Sequence, residues 1–155
     1  MSTARITLLP DRIEFAADDQ ATSVPIGTAT LQREFHHDPP WAEELTNAVG
    51  AVVDHMEDVE REAPAVVLAD RVEIAGGLVR VVADVEVGGT AVLPFELSRE
   101  AAEDVFRTLV TEHSADRALN PGLPADAVEP VLGTVCAVVG VMRFLQATSL
   151  WLVDA

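Results

Sequence analysis

Residues 131–142 are the longest apolar stretch in the chain, and they restrict its fold more than any other segment. On a helix, Val128, Leu132, Val135, Val139 and Met142 fall on one stripe and Val131, Val138 and Val141 fill its flank. A helix over 128–145 is therefore apolar nearly all round and needs protein on every side. The run is bracketed by Pro130 and Arg143 and falls short of the ~20 residues of a membrane span, so it reads as a buried helix. Gly133 and Gly140, seven apart, leave two gaps on one face where another backbone can approach. With Trp151 and Trp41 they are the candidate interface positions. Cys136 lies inside the run, where a small buried hydrophobe is expected, and with one cysteine no disulfide can form within the chain.

The rest of the sequence supplies the layers. Residues 6–9 and 13–17 are short β-type runs joined at Pro10-Asp11, and 23–31 is a third, which reads most simply as three antiparallel strands. After Asp38-Pro39-Pro40, the spacing of Trp41, Leu45, Ala48, Val49, Val52, Met56 and Val59 predicts a long amphipathic helix that stops before Pro64. Residues 65–68 and 71–75 are β-branched runs, the second interrupted by Gly76-Gly77. Valine-rich 78–87 fits neither period well; local propensity favours a strand, paired across Gly88-Gly89 with 90–95. Ser98 is a good N-cap for a helix reaching about Glu112, Asn120-Pro121-Gly122 forces a turn, Asp126 can cap the apolar helix, and 149–153 reads as a buried last strand. The order is β-β-β-α-β-(α or β)-α-α-β in one domain, 1–155, without repeats or linkers.

Charge limits the partners. Acidic residues number 26 against 10 basic ones, giving −16, and every cation is arginine. That field repels nucleic acid, anionic membrane and free polyanions, so a polyphosphate chain approaches only with a metal or a basic partner. The N-terminus runs directly into alternating residues without an apolar signal segment, which places the expectation in the cytoplasm.

Several motifs in this order resemble the Ppx/GppA family of exopolyphosphatases and guanosine pentaphosphate phosphohydrolases. Leu97-Ser98-Arg99-Glu100 is similar to the family's "L-S/T-R-E" helix start. Ala115-Asp116-Arg117 with Pro121-Gly122-Leu123-Pro124 is similar to its "A-x-R…P-G-(L/M)-x-P" turn, and the small-residue helix ending Val141-Met142-Arg143 to its "V-M-R". Ser23 to Leu31 resembles "S-x-x-I-G-x-x-R-L", and Asp38-Pro39-Pro40 the "D-P-P" before the long helix. The resemblance implies an α/β fold, one half of an actin-like ATPase or ribonuclease-H-like architecture with a mixed β-sheet and helices. It covers the second half of the family chain. It also implies a helix, not a strand, after Gly77.

The same comparison shows what is degenerate. Where the family carries "D-I-G-G-G-S-T-E", whose glycines cradle phosphate and whose acid helps hold a metal, this chain reads Thr7-Leu8-Leu9-Pro10-Asp11-Arg12-Ile13-Glu14. Proline has no N–H to donate, and Leu9 and Asp11 crowd or repel an anion. Glu14, Gly76 and Gly77 remain as relics of the phosphate loops, and no residue is assigned a catalytic role. His36-His37-Asp38 lacks a spaced third ligand and reads as a solvated turn. His55 with Asp54, Asp58 and Glu62 reads as an acidic helix face, and Asp116-Arg117 as a local ion pair or a helix-end contact. No metal site and no cofactor are expected.

Three readings follow. The first is a non-catalytic domain that acts by binding protein, as a homodimer or with another partner. The second is a phosphohydrolase completed by a separate first-half chain or by dimerisation, in which case magnesium is required. The third is a folded remnant without a task. The isolated chain is expected to be inactive on polyphosphate and guanosine pentaphosphate.

Overall fold

The computed structural model covers residues 1–155. Six strands form one mixed sheet: β1 (Thr3–Leu8), β2 (Ile13–Ala17), β3 (Gln20–Val24), β4 (Arg71–Gly76), β5 (Phe95–Ser98) and β6 (Ser149–Leu152). Their spatial order is β3-β2-β1-β4-β6-β5. β1, β2 and β3 make an antiparallel meander, β4 runs parallel to β1 and β6 parallel to β4, and β5 closes the far edge antiparallel to β6. Period-two alternation sorts the side chains. Ile6, Leu8, Ile13, Phe15, Val24, Ile74, Leu97, Leu150 and Leu152 point to one face and are buried.

That face carries the helical layer: α1 (Thr28–Gln32), α2 (Ala42–Glu62), α3 (Pro64–Val67), α4 (Val79–Val87), α5 (Arg99–Thr111), α6 (Ser114–Arg117) and α7 (Val131–Leu145). α7 is the centre of the layer and packs against α1, α2, α4 and α5, which is why every residue from Val131 to Met142 is buried. No helix is long and apolar enough to cross a membrane. The opposite face of the sheet carries no helix and presents polar and small side chains, among them Arg5, Glu14, Ala16, Ala21, Glu73 and Glu96, together with the large Trp151.

Four expectations are corrected. The third strand ends at Val24: Pro25 cannot extend a ladder, and 28–32 turns into α1. Residues 65–68 are not a strand but continue α3, with Pro64 at its first position. Residues 78–87 are α4, not a strand, and 90–95 pairs with nothing until β5 begins at Phe95. Valine's β-propensity loses here because Val79, Val82 and Ala83, spaced three and four apart, are buried together, and Gly88 at φ +69° ends the helix. The apolar helix starts at Val131, not Val128; a 3-10 turn at Ala125–Ala127 precedes it, so Asp126 does not cap it.

Candidate functional site

In open sheets of this kind, ligands gather beyond the carboxyl ends of the parallel strands. Here that end is formed by the 9–12 turn between β1 and β2, by the start of α1, and by Gly76-Gly77 after β4. The 9–12 turn is closed by the Leu9 N–H donating to Arg12 O at 3.0 Å. It then lies across the N-terminus of α1. The N–H of Thr28 donates to Leu9 O at 3.0 Å, and those of Ala29 and Thr30 to Pro10 O at 2.9 and 3.3 Å. Gly27 allows this seat, since a Cβ there would stand 2.2 Å from Leu9 O and 2.5 Å from Arg12 N. The first-turn donors that make a helix start attract anions are thus engaged by the protein's own carbonyls.

Glu14 is exposed on the helix-free face. Its Oε2 accepts from Arg12 Nε at 3.1 Å, and Arg12 Nη1 also donates to Asp11 at 3.2 Å. In the register Glu14 faces Thr7 and Thr7 faces Ala75, so two strand spacings, about 10 Å, separate Glu14 from the β4 loop. Gly76 and Gly77 adopt φ +83° and +54°. A Cβ on Gly76 would meet Leu8 O at 2.4 Å, and one on Gly77 would press on Thr134 Oγ1 and Thr28 Cγ2. The buried Thr134 hydroxyl accepts the Leu78 N–H at 3.1 Å, and Gln32 Oε1 accepts the Gly133 N–H at 3.0 Å. Glu14, Gly76 and Gly77 therefore share one end of the sheet without converging on a common point. The hollow there, about 360 Å³, is lined by Pro10, Thr28, Ala29, Gln32, Arg33 and Pro130 and contains no carboxylate. Nowhere do three or more His, Cys, Asp or Glu side chains gather in a metal-binding group. Burial pushes the Cys136 thiol up to about 12, so it is no nucleophile.

The glycines of α7 are not at an interface. A Cβ on Gly133 would lie 2.3 Å from Thr28 O, and one on Gly140 2.7 Å from both Cβ and Cγ1 of Val52. The gaps the sequence opens are filled by α1 and α2 of the same chain, because the central helix of a layer must admit neighbours on both sides. Trp41 is 56% exposed, its ring stacked on His37 at 3.4 Å. Trp151 is half-buried on the helix-free face under the Arg71 guanidinium at 4.1 Å.

Two residues matter more than their sequence context suggests. Arg117 makes the helix-end contact, at the end of α5, and not a surface ion pair with Asp116. It is fully buried, donating to the carbonyls of Leu109 at 2.8 Å, Glu112 at 2.8 Å and Val128 at 3.0 Å, with Asp38 and Glu129 each 3.6 Å away. Its only signal was its place in the family-like turn. Glu44, on α2, accepts the backbone N–H groups of His36 and Trp41 at 2.8 Å and meets His37 Nδ1 at 3.1 Å. Burial pulls its pKa up, but these partners outweigh it and hold the carboxyl below its ordinary range. The His36-His37 turn is thus tied to α2 and not merely solvated.

No protein-family model matches the chain, and no curated protein matches its sequence. Solved structures match its fold. The Aquifex aeolicus PPX-GPPA enzyme aligns at TM-score 0.83 and 16% identity over 99% of this chain and 54% of its own. An exopolyphosphatase-like protein aligns at TM-score 0.89 and 16% identity, over 99% and 55%. An exopolyphosphatase from Cytophaga hutchinsonii gives 0.74 and 14%, over 98% and 53%. The chain has the α/β, actin-like fold of these proteins and spans about half their length.

Proposed function

We propose that this chain is a single Ppx/GppA-like lobe that does not catalyse phosphate transfer and acts by binding protein. One observation carries the reading: the β1–β2 turn, which in a phosphate site would offer N–H groups, instead offers the carbonyls of Leu9 and Pro10 to α1. A carbonyl repels the anion that an amide attracts, and removing even one such electrostatic contact typically costs ~10²–10³ in rate. Charge supports the reading further, because an overall −16 opposes any polyanionic substrate.

The second reading, a phosphohydrolase completed by another chain, is favoured by the Gly76-Gly77 loop, which keeps positive φ at both residues ahead of α4. The experiment that tests both is phosphate release from polyphosphate and from guanosine pentaphosphate with magnesium, using the purified chain and a Glu14→Ala control. No release above the control is expected. Release that Glu14→Ala abolishes refutes the non-catalytic reading.

A further inference from the structure

The helix-free face of the sheet has a surface that complements itself. Its strands present one continuous outward row, read from the pairing register as Ala21, Ala16, Arg5, Glu73, Trp151 and Glu96 across β3, β2, β1, β4, β6 and β5. Turning a second copy by 180° about an axis that lies above the helix-free face, parallel to the strands and over the midline between β1 and β4, stacks the copies face to face and reverses the row. Arg5, which already lies 3.5 Å from Glu73 of its own chain, then also faces Glu73 of the second copy, Trp151 faces Ala16, and Glu96 faces Ala21. Cation meets anion and the largest side chain meets the smallest.

Shape agrees with this register. Arg5, Thr7, Glu14, Ala16, Ala21 and Ser23 border a hollow of about 380 Å³ on the same face, large enough for an indole. Trp151 stands three strands away from Ala16, about 14 Å, so it cannot reach the hollow of its own chain. Charge agrees as well. Arg5, Arg12 and Arg71 stand against Glu14, Glu73, Glu96 and Asp11, so this face carries little of the molecule's −16. Two copies meeting here turn their excess negative charge away from each other. Finally, β1, β4 and β6 are parallel, and parallel strands are ordinarily covered on both faces.

We propose that the chain forms a two-fold dimer through this face, with Trp151 of each copy seated over Ala16 of the other and Arg5 paired with Glu73 across the axis. The proposal rests on the interaction-lobe reading and supplies its partner, a second copy of this chain. Six strands at their usual spacing, about 29 Å by 16 Å, give an interface of about 1,000 Å² over both copies, the lower end of specific association. A micromolar dissociation constant is expected.

Sedimentation equilibrium from about 5 to 200 µM reads the mass. Salt should tighten the dimer, because screening relieves repulsion between the outer surfaces. Ala16→Glu, at an exposed position, should weaken association at least tenfold with an unchanged melting temperature, and Ala21→Glu serves as a second such variant. Arg5→Glu and Glu73→Arg should each weaken it, and the double exchange should restore it. In a Trp41→Phe background, Trp151 emission should shift to the blue as the dimer forms. A monomer at 200 µM at every salt concentration overturns the proposal, including the case where this face binds only a different protein. A dimer indifferent to Ala16→Glu and to the Arg5/Glu73 exchange overturns it too, and places the contact on the helical layer. An inactive monomer refutes the dimer alone, whereas an active dimer refutes the non-catalytic reading alone.

Discussion

Arg117 shows how one side chain can organise three loops. Its guanidinium collects the carbonyl of Leu109, near the end of α5, that of Glu112 just beyond it, and that of Val128 before α7, while Asp38 approaches from the turn ahead of α2. Replacing it with Met leaves buried carbonyls unpaired, and hydrogen bonds to a charged donor are worth ~1.5–3 kcal/mol each. Arg117→Met should therefore lower stability by about 3 kcal/mol or more in urea unfolding, and Arg117→Lys should recover only part, because an ammonium cannot span the same fork. Glu44 gives a pH-dependent counterpart. Its folded pKa is depressed, so its contribution is present above the unfolded value and lost as pH falls through the folded one. The melting-temperature gap between wild type and Glu44→Gln should be widest near neutrality and close as the solution is acidified below the ordinary glutamate range.

At the scale of elements, α7 decides the packing, and its glycines set the distances. At Gly133 an added methyl meets a backbone carbonyl of α1, which cannot move without moving the helix. At Gly140 it meets the Val52 side chain on α2. Overpacking typically costs 1–3 kcal/mol, and the better helix propensity of alanine returns about 1. Gly133→Ala is thus expected to cost about 2 kcal/mol net and Gly140→Ala about 1 or less, measured by chemical denaturation. Equal effects at the two sites would contradict this account of the α1–α7 and α2–α7 contacts. α4 illustrates the same rule from the other side: a valine-rich segment becomes helical because the layer between β4 and α5 requires a helix there.

For the whole molecule the dominant facts are a one-sided sheet and a large negative charge. The core unites the sheet and the helical layer in one cluster of 40 buried residues, so cooperative unfolding is expected. Self-repulsion among exposed carboxylates opposes the compact state, and added salt screens it. Raising NaCl from about 20 to 300 mM should lift the melting temperature by a few degrees, with the Debye length shrinking toward contact distance. A melting temperature that falls with salt would mean that local ion pairs such as Arg143–Glu103, made at 2.8 and 2.9 Å, outweigh the global repulsion.

The amino-acid order by itself determined the α/β character, the long α2, the all-round apolar character of α7 and the Ser98 cap. Each of these follows from periodicity or from a single residue's backbone chemistry. At 78–87 local propensity favoured a strand and the resemblance implied a helix; the tertiary structure decides for the helix, because burial against α5 and α7 outweighs valine's strand preference. The same holds for Gly133 and Gly140, since a gap on a helix looks alike in sequence whether its own chain or another fills it. The absence of glycine from the β1–β2 turn was legible as Leu9, Pro10 and Asp11, but the engagement of its carbonyls with α1 was not, because that contact joins residues far apart in the chain. The row from Ala21 to Glu96 is the extreme case: its six residues come from six strands, and strand register alone makes them neighbours.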